Sequence, residues 1–369
     1  MLFLLYNNFK IFSLIFDYMK KFKRCVLYEK LENKKVRCFA CRHRCVINEN
    51  HTGICGVRAN FSGDLYLIVH SKPSAYHIDP IEKKPFYHFL PSEQALSLGT
   101  VGCNFRCAWC QNHDLSQGIK EYSMFNAEKA VKFLEHNSFE GLEPERIVED
   151  AINFGVKIIA YTYNEPTIWM EYAIDIAKLA KKEGIKNVFV SSGYESEEGL
   201  KFISRYIDAF NIDLKAFRDE TYRKYIGATL DGVLKTIKEI KKKGKWLEIT
   251  TLLIPDINDS IEEIEEIADF ICSIDKDIPW HISRFFPHYK ITNKPPTPIS
   301  KLVKAREIGI EHGLRHVYLG NIIDKKYEST YCPECKNIVI EREGYFVKNY
   351  LDENGKCPYC GYKIKGVWK

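Results

Sequence analysis

Short apolar runs alternate with helical patterns along the middle of the chain. Residues 95–98, 156–163, 187–191, 207–214, 246–254, 280–285 and 316–319 are each short and rich in apolar or β-branched side chains, as strands are. Helical spacing fills several of the gaps. In 144–152, Ile147, Val148, Ala151 and Ile152 recur at i, i+1, i+4 and i+5, and Gly155 follows as a stop. Residues 168–183, ended by Gly184, and 298–312, ended by Gly313, read the same way. This alternation predicts an α/β fold built on a parallel sheet. Such sheets carry their ligands at the C-terminal ends of the strands.

The flanks pattern differently. Apolar runs at 1–6 and 11–16 are interrupted by Asn7, Asn8, Lys10 and Asp17, too short and too polar to span a bilayer. No basic start or small-residue cleavage site marks a secretory signal, and Met19 offers an alternative start. A strand at 65–70 follows the turn Ser62-Gly63-Asp64, and β-rich stretches flank Gly344 near the far end. The expected division is a leader at 1–24, a Cys-rich module at 25–90, a core at 91–325 and a tail at 326–369.

Composition narrows the class. The chain has 369 residues, 45% hydrophobic and 28% charged, ordinary for a globular protein. Its net charge of +5 favours an acidic partner only mildly, so nucleic acid is not required. There are 13 cysteines, and all but Cys25 and Cys272 fall in three tight groups with metal-ligand spacing. Metal sites in a reducing compartment account for that better than disulfides, so a cytoplasmic enzyme is expected.

The central group decides the chemistry. Cys103, Cys107 and Cys110 stand in C-x3-C-x2-C spacing after a strand ending Gly99-Thr100, with Trp109 directly before the last cysteine. Soft thiolates suit an iron–sulfur cluster or zinc. Three on one loop leave one iron of a [4Fe–4S] cluster open. This loop resembles that of the radical S-adenosylmethionine (SAM) superfamily. The resemblance implies SAM at the open iron, reductive cleavage to a 5′-deoxyadenosyl radical, and hydrogen abstraction from a substrate. SAM then needs a carboxylate for its ammonium, a cation for its carboxylate and an apolar wall for its adenine. Glu165 suits the first, Lys215 the second, and Ile254 with Pro255 the third. Trp109, Asn164, Ser192, Asp213 and His281 are the further cofactor-binding candidates.

The outer groups look like closed metal sites. Cys38, Cys41, Cys45 and Cys55 form a full set of four thiols, for zinc or an auxiliary iron–sulfur cluster. His43, between two of them, reads as solvated. Cys332, Cys335, Cys357 and Cys360 lie in paired C-P-x-C knuckles, the signature of a zinc ribbon. No dense basic run accompanies the ribbon beyond Lys363 and Lys365, so a structural staple or a protein-docking role is expected of it rather than nucleic-acid binding.

A fuller resemblance covers nearly the whole chain. It rests on the cysteine pattern from Cys38 to Arg58, the string from His77 to Phe89, and the cluster loop with Gln111-Asn112. Tyr161 to Thr167, Trp280 to Phe285, Pro295 to Pro298, Gly320-Asn321 and the closing ribbon with Trp368 complete it. These are similar to the radical SAM enzyme of the AmmeMemoRadiSam system, related to pyruvate formate-lyase activating enzymes. The resemblance implies a partial (β/α)6-type barrel with the Cys-rich module before it and the ribbon after it. It also implies Memo-like and AMMECR-type partner proteins. A reductant such as ferredoxin or flavodoxin is required, and no membrane association is expected. Alternatives are a glycyl-radical-enzyme activase, a nucleic-acid-modifying enzyme of the same chemistry, or a structural zinc protein.

Overall fold

The computed structural model describes residues 22–369. The apolar runs of the leader and the Met19 start lie outside the described residues. The core is one sheet whose eight strands lie side by side in chain order: β1 (Ala75–Pro80), β2 (Gln94–Gly99), β3 (Ile158–Tyr161), β4 (Lys186–Ser191), β5 (Ala209–Asp213), β6 (Trp246–Leu253), β7 (Trp280–Arg284) and β8 (Val317–Gly320). β1 runs antiparallel to β2, and every later neighbour is parallel to the last. All seven strands predicted for the middle of the chain are present in this sheet.

The connections explain which face holds what. Successive parallel neighbours need crossovers, and crossovers of one hand put the helices on one face. Strand residues alternate accordingly. Leu96, Ile159, Phe189, Phe210 and Leu247 pack with Ile174, Ala177 and Ile237 of the helices. Ala95, Ile158, Ala160, Val188 and Ala209 face the other way, onto Phe86 and Phe89. The segment after β1 therefore fills the interior of the arc at its lower end. Glu248 of β6 anchors it, accepting hydrogen bonds from the backbone N–H groups of Tyr87 at 2.9 Å and His88 at 2.9 Å.

The predicted helices are found near their expected bounds. Pro144–Asn153 and Ile299–Glu311 match the predicted spans closely. The third predicted helix divides into a 3-10 turn at Pro166–Trp169 and a helix at Met170–Lys182. Glu165 causes the tight entry: its side chain accepts from the Thr167 N–H, and Pro166 fixes the first turn.

Smaller sheets flank this core. Residues 23–67 form two three-stranded antiparallel sheets, and 330–349 form a third. The tail is stapled to the floor of the arc. Arg342, fully buried, donates to the Tyr87 carbonyl at 2.6 Å and to Thr330 Oγ1 at 2.8 Å. Val367 donates to the His88 carbonyl at 2.8 Å and accepts from Leu90 at 2.7 Å. Among the described residues, no helix is long and apolar enough to cross a membrane.

Candidate functional site: a cavity at the strand ends

The cysteine loop leaves β2 through a close contact. Gly102 has φ +89, and a Cβ there would lie 2.4 Å from the Cys55 carbonyl oxygen. Only glycine fits. The loop is then pinned by backbone bonds: Arg106 to Ile226 at 2.8 Å, Ala108 to Tyr225 at 2.9 Å, and Lys290 to Ala108 at 2.9 Å. Lys120 comes up beneath it and donates to the carbonyls of Cys103 at 3.0 Å and Phe105 at 2.6 Å.

Asn164 holds the loop from the other side. Its Oδ1 accepts from Thr100 N and from Trp169 Nε1, both at 3.1 Å. Its Nδ2 donates to Thr100 Oγ1 at 3.0 Å and to the Gly102 carbonyl at 2.9 Å. Tyr163, with φ +68, turns the chain so that this side chain points back. Asn164 thus spends its polar atoms on protein, although it lines the cavity.

That cavity measures about 490 Å³, within the range of small-molecule sites. It opens at the ends of β3 to β8. Cys103, Cys107, Cys110 and Trp109 line it, with Asn164, Glu165, Ser192, Asp213 and Lys215. Glu165 is buried and firmly aimed. Its Oε1 accepts from Thr167 N at 3.0 Å, and its Oε2 from Ser192 N at 2.7 Å. Lys215 lies 2.7 Å from Asp213. Burial works against its charge, but Asp213 and the Cys107 sulfur outweigh burial and raise its pKa.

Two groups of candidates lie elsewhere. His281 is the second residue of β7, deep in the arc, and its Nε2 meets Glu248 Oε2 at 2.6 Å. It is walled by the rings of Tyr87 and Tyr318 and does not line the cavity. Ile254 and Pro255 are also absent from the lining. Ile254 follows β6 with its side chain in the helix-facing core and its N–H on Asn258 Oδ1 at 2.7 Å.

Sequence reasoning gave no role to other members of the wall. Lys84 is buried there, paired with Asp79 at 2.8 Å, its ammonium 4.3 Å from the centre of the Tyr163 ring. Lys84 stands in the quoted string from His77 to Phe89, which was the available signal. Behind the wall lies Glu195, fully buried. Ser191 Oγ sits 2.8 Å from Glu165 Oε1 and 2.7 Å from Glu195 Oε1. Burial, with the Glu165 charge beside it, pushes Glu195 up to about 7. A neutral Glu195 can donate to Ser191, whose single hydrogen then goes to Glu165. Nothing in the spacing of Glu195 marked it.

The three cysteines fit a cluster better than a lone ion. All thirteen cysteines are free thiols. Among the described residues, only the sulfurs of Cys332, Cys335, Cys357 and Cys360 form a group lying within 4.8 Å of one another. Their paired sulfurs are 3.6 Å apart. The central three are spread more widely around the cavity, and no fourth cysteine lines it. Burial pushes Cys107 up to about 11, against the pull of Lys215, so a thiolate there calls for metal charge. His43 is not solvated: its Nε2 lies 2.9 Å from the Asn104 carbonyl.

Comparison with known proteins agrees. Residues 97–271 match the model of the Radical SAM superfamily. An uncharacterized protein of Methanocaldococcus jannaschii is 41% identical over 345 residues, 93% of this chain and 98% of that protein. A candidate glycyl-radical enzyme activating enzyme of the same organism is 31% identical over 234 residues, 62% of this chain and 79% of that protein. The pyruvate formate-lyase-activating enzyme of Clostridium pasteurianum is 25% identical over 173 residues, 47% of this chain and 67% of that protein. The chain belongs to the radical SAM superfamily and is an enzyme of that class.

Proposed function

We propose that the cavity holds SAM for reductive cleavage and that a substrate is attacked at the same mouth. The observation that carries this reading is that three cysteines, Glu165 and Lys215 share one cavity at the strand ends. The superfamily implies a [4Fe–4S] cluster and SAM, which when bound supply one-electron cleavage of a sulfonium carbon–sulfur bond and a hydrogen-abstracting radical. Cys103, Cys107 and Cys110 hold three irons and leave the fourth open. Glu165 accepts the SAM ammonium, held in place by Thr167 and Ser192. Lys215 faces the SAM carboxylate, with Asp213 keeping it charged. Ser192 and Trp109 close the wall around them and exclude water.

The tail cysteines hold one zinc. A Zn–S bond of about 2.3 Å gives a tetrahedral edge of about 3.8 Å, close to the 3.6 Å sulfur spacing. Four ligands close the shell, so this zinc is structural. A polypeptide substrate is the second reading, supported by the activating enzymes among the relatives. Memo-like and AMMECR-type partners rest on the resemblance of the motifs, and a ferredoxin or flavodoxin serves as reductant.

Anaerobic incubation with SAM and dithionite tests the reading. Wild type yields 5′-deoxyadenosine, Cys107→Ala yields none, and Glu165→Ala binds SAM more weakly while keeping its iron absorbance. Wild-type yields from Cys107→Ala sink the proposal.

A further inference from the structure

We infer that Cys38, Cys41, Cys45 and Cys55 hold a second [4Fe–4S] cluster, which relays electrons to the central one. The relay rests on the reading of the central site above; the second cluster itself does not. Two observations separate it from the zinc alternative. First, the four thiols line a small cavity closed off by Ile47, Ile54 and Ile168. Second, no three of their sulfurs lie within 4.8 Å of one another, whereas the tail set does. One zinc draws four sulfurs to edges of about 3.8 Å. A cluster of several irons sets its thiolates farther apart than one ion does, and these four are not drawn within that reach. Arg58 lines the same cavity, fully buried, with its guanidinium on Glu171 and its Nε donating to the Ile168 carbonyl at 2.8 Å. Its charge is balanced by Glu171, so the pair adds a buried polar wall to the site rather than net charge.

The two cysteine sites share a wall. Gly102, the residue before Cys103, packs on the Cys55 carbonyl so tightly that a Cβ there would approach within 2.4 Å. His43, between Cys41 and Cys45, hydrogen-bonds at 2.9 Å to the carbonyl of Asn104, the residue after Cys103. Lys120 touches both sides of that wall: a Cβ on Gly56, the residue after Cys55, would lie 3.1 Å from its Cγ, and its ammonium donates to the Cys103 carbonyl at 3.0 Å. A one-electron carrier, an iron–sulfur or flavin protein, reduces the outer cluster and is itself oxidised. The electron then passes to the central cluster, and no bond or proton changes in that step. All four ligand positions of the outer cluster are taken by cysteine, so it has no place for SAM.

The test uses the full chain carrying Cys103→Ala, Cys107→Ala and Cys110→Ala together, reconstituted anaerobically with ferrous iron and sulfide. About four irons and four sulfides per chain should remain, with a paramagnetic signal on reduction that SAM does not alter. Zinc alone, or no metal, overturns the proposal. If that variant does not fold, Cys41→Ala with Cys55→Ala is the second measurement. It should lose about half the wild-type iron and keep the SAM-sensitive signal; unchanged iron overturns the proposal. In doubly reduced wild type the two signals should broaden each other, and broadening should vanish in either variant. Unbroadened wild-type spectra refute the relay. An outer cluster that survives in a protein whose central site ignores SAM would instead refute only the reading of the central site.

Discussion

Asn164 ties the start of the cysteine loop, at Thr100 and Gly102, to Trp169. Asn164→Ala leaves Thr100 N and Trp169 Nε1 without their acceptor in a buried place. The expected cost is roughly 2–4 kcal/mol of stability. Denaturant titration should show the loss, and iron per chain should fall with it. Glu195 makes a pH prediction. Its pKa rises from 4.5 to about 7 on folding. A raised carboxyl favours folding while protonated, so its contribution is full below 4.5 and lost as pH climbs through about 7. Glu195→Gln removes that loss. The stability gap between variant and wild type should widen in the variant's favour by roughly 1–3 kcal/mol between about pH 5 and about pH 8. A constant gap across that range would show that Glu195 is not the titrating group.

At the scale of elements, Arg342 ties the tail hairpin to the floor of the arc. It stands 3.7 Å from Glu82, and both side chains are buried. Arg342→Met strands that carboxylate, at a cost of roughly 3–5 kcal/mol. Adding Glu82→Gln should recover part of it, which a double-mutant cycle in denaturant would read. Strands and the better helices were legible because their side chains repeat at their own period. His113–Ser123 was not singled out. It carries a hydrophilic first turn, and among its buried residues Ser116, Gln117 and Ser123 are polar. β1 was also missed. Its pattern puts His77 and Ile78 outward on an antiparallel edge, so the string from His77 onward read as a motif without a shape. The cysteine groups were legible because ligand spacing is local. Their relation was not, since Cys55 meets Gly102 only through the fold.

At the scale of the molecule, three parts contribute to one cavity. Tyr345, at the tip of the tail hairpin, lines its mouth and remains 62% exposed. Tyr345→Ala should leave SAM cleavage without substrate intact and alter capture of the substrate once one is known. Chelating the zinc proposed for the tail should have the same selective effect, because the hairpin lies between the two cysteine pairs. A fall in SAM cleavage as large as any fall in substrate capture would show that the tail supports the core generally.

The strand order has a consequence for biosynthesis. The sheet's neighbours are neighbours in sequence, so β1 to β8 can pair one after another as the chain leaves the ribosome. The floor cannot. Tyr87 and His88 wait for Arg342 and Val367, which are translated some 255 and 279 positions later. Until then the interior stays open at its base while the cysteine loops are already formed. Nascent chains halted before the tail should therefore expose the 85–90 segment to protease, and released full-length chains should protect it.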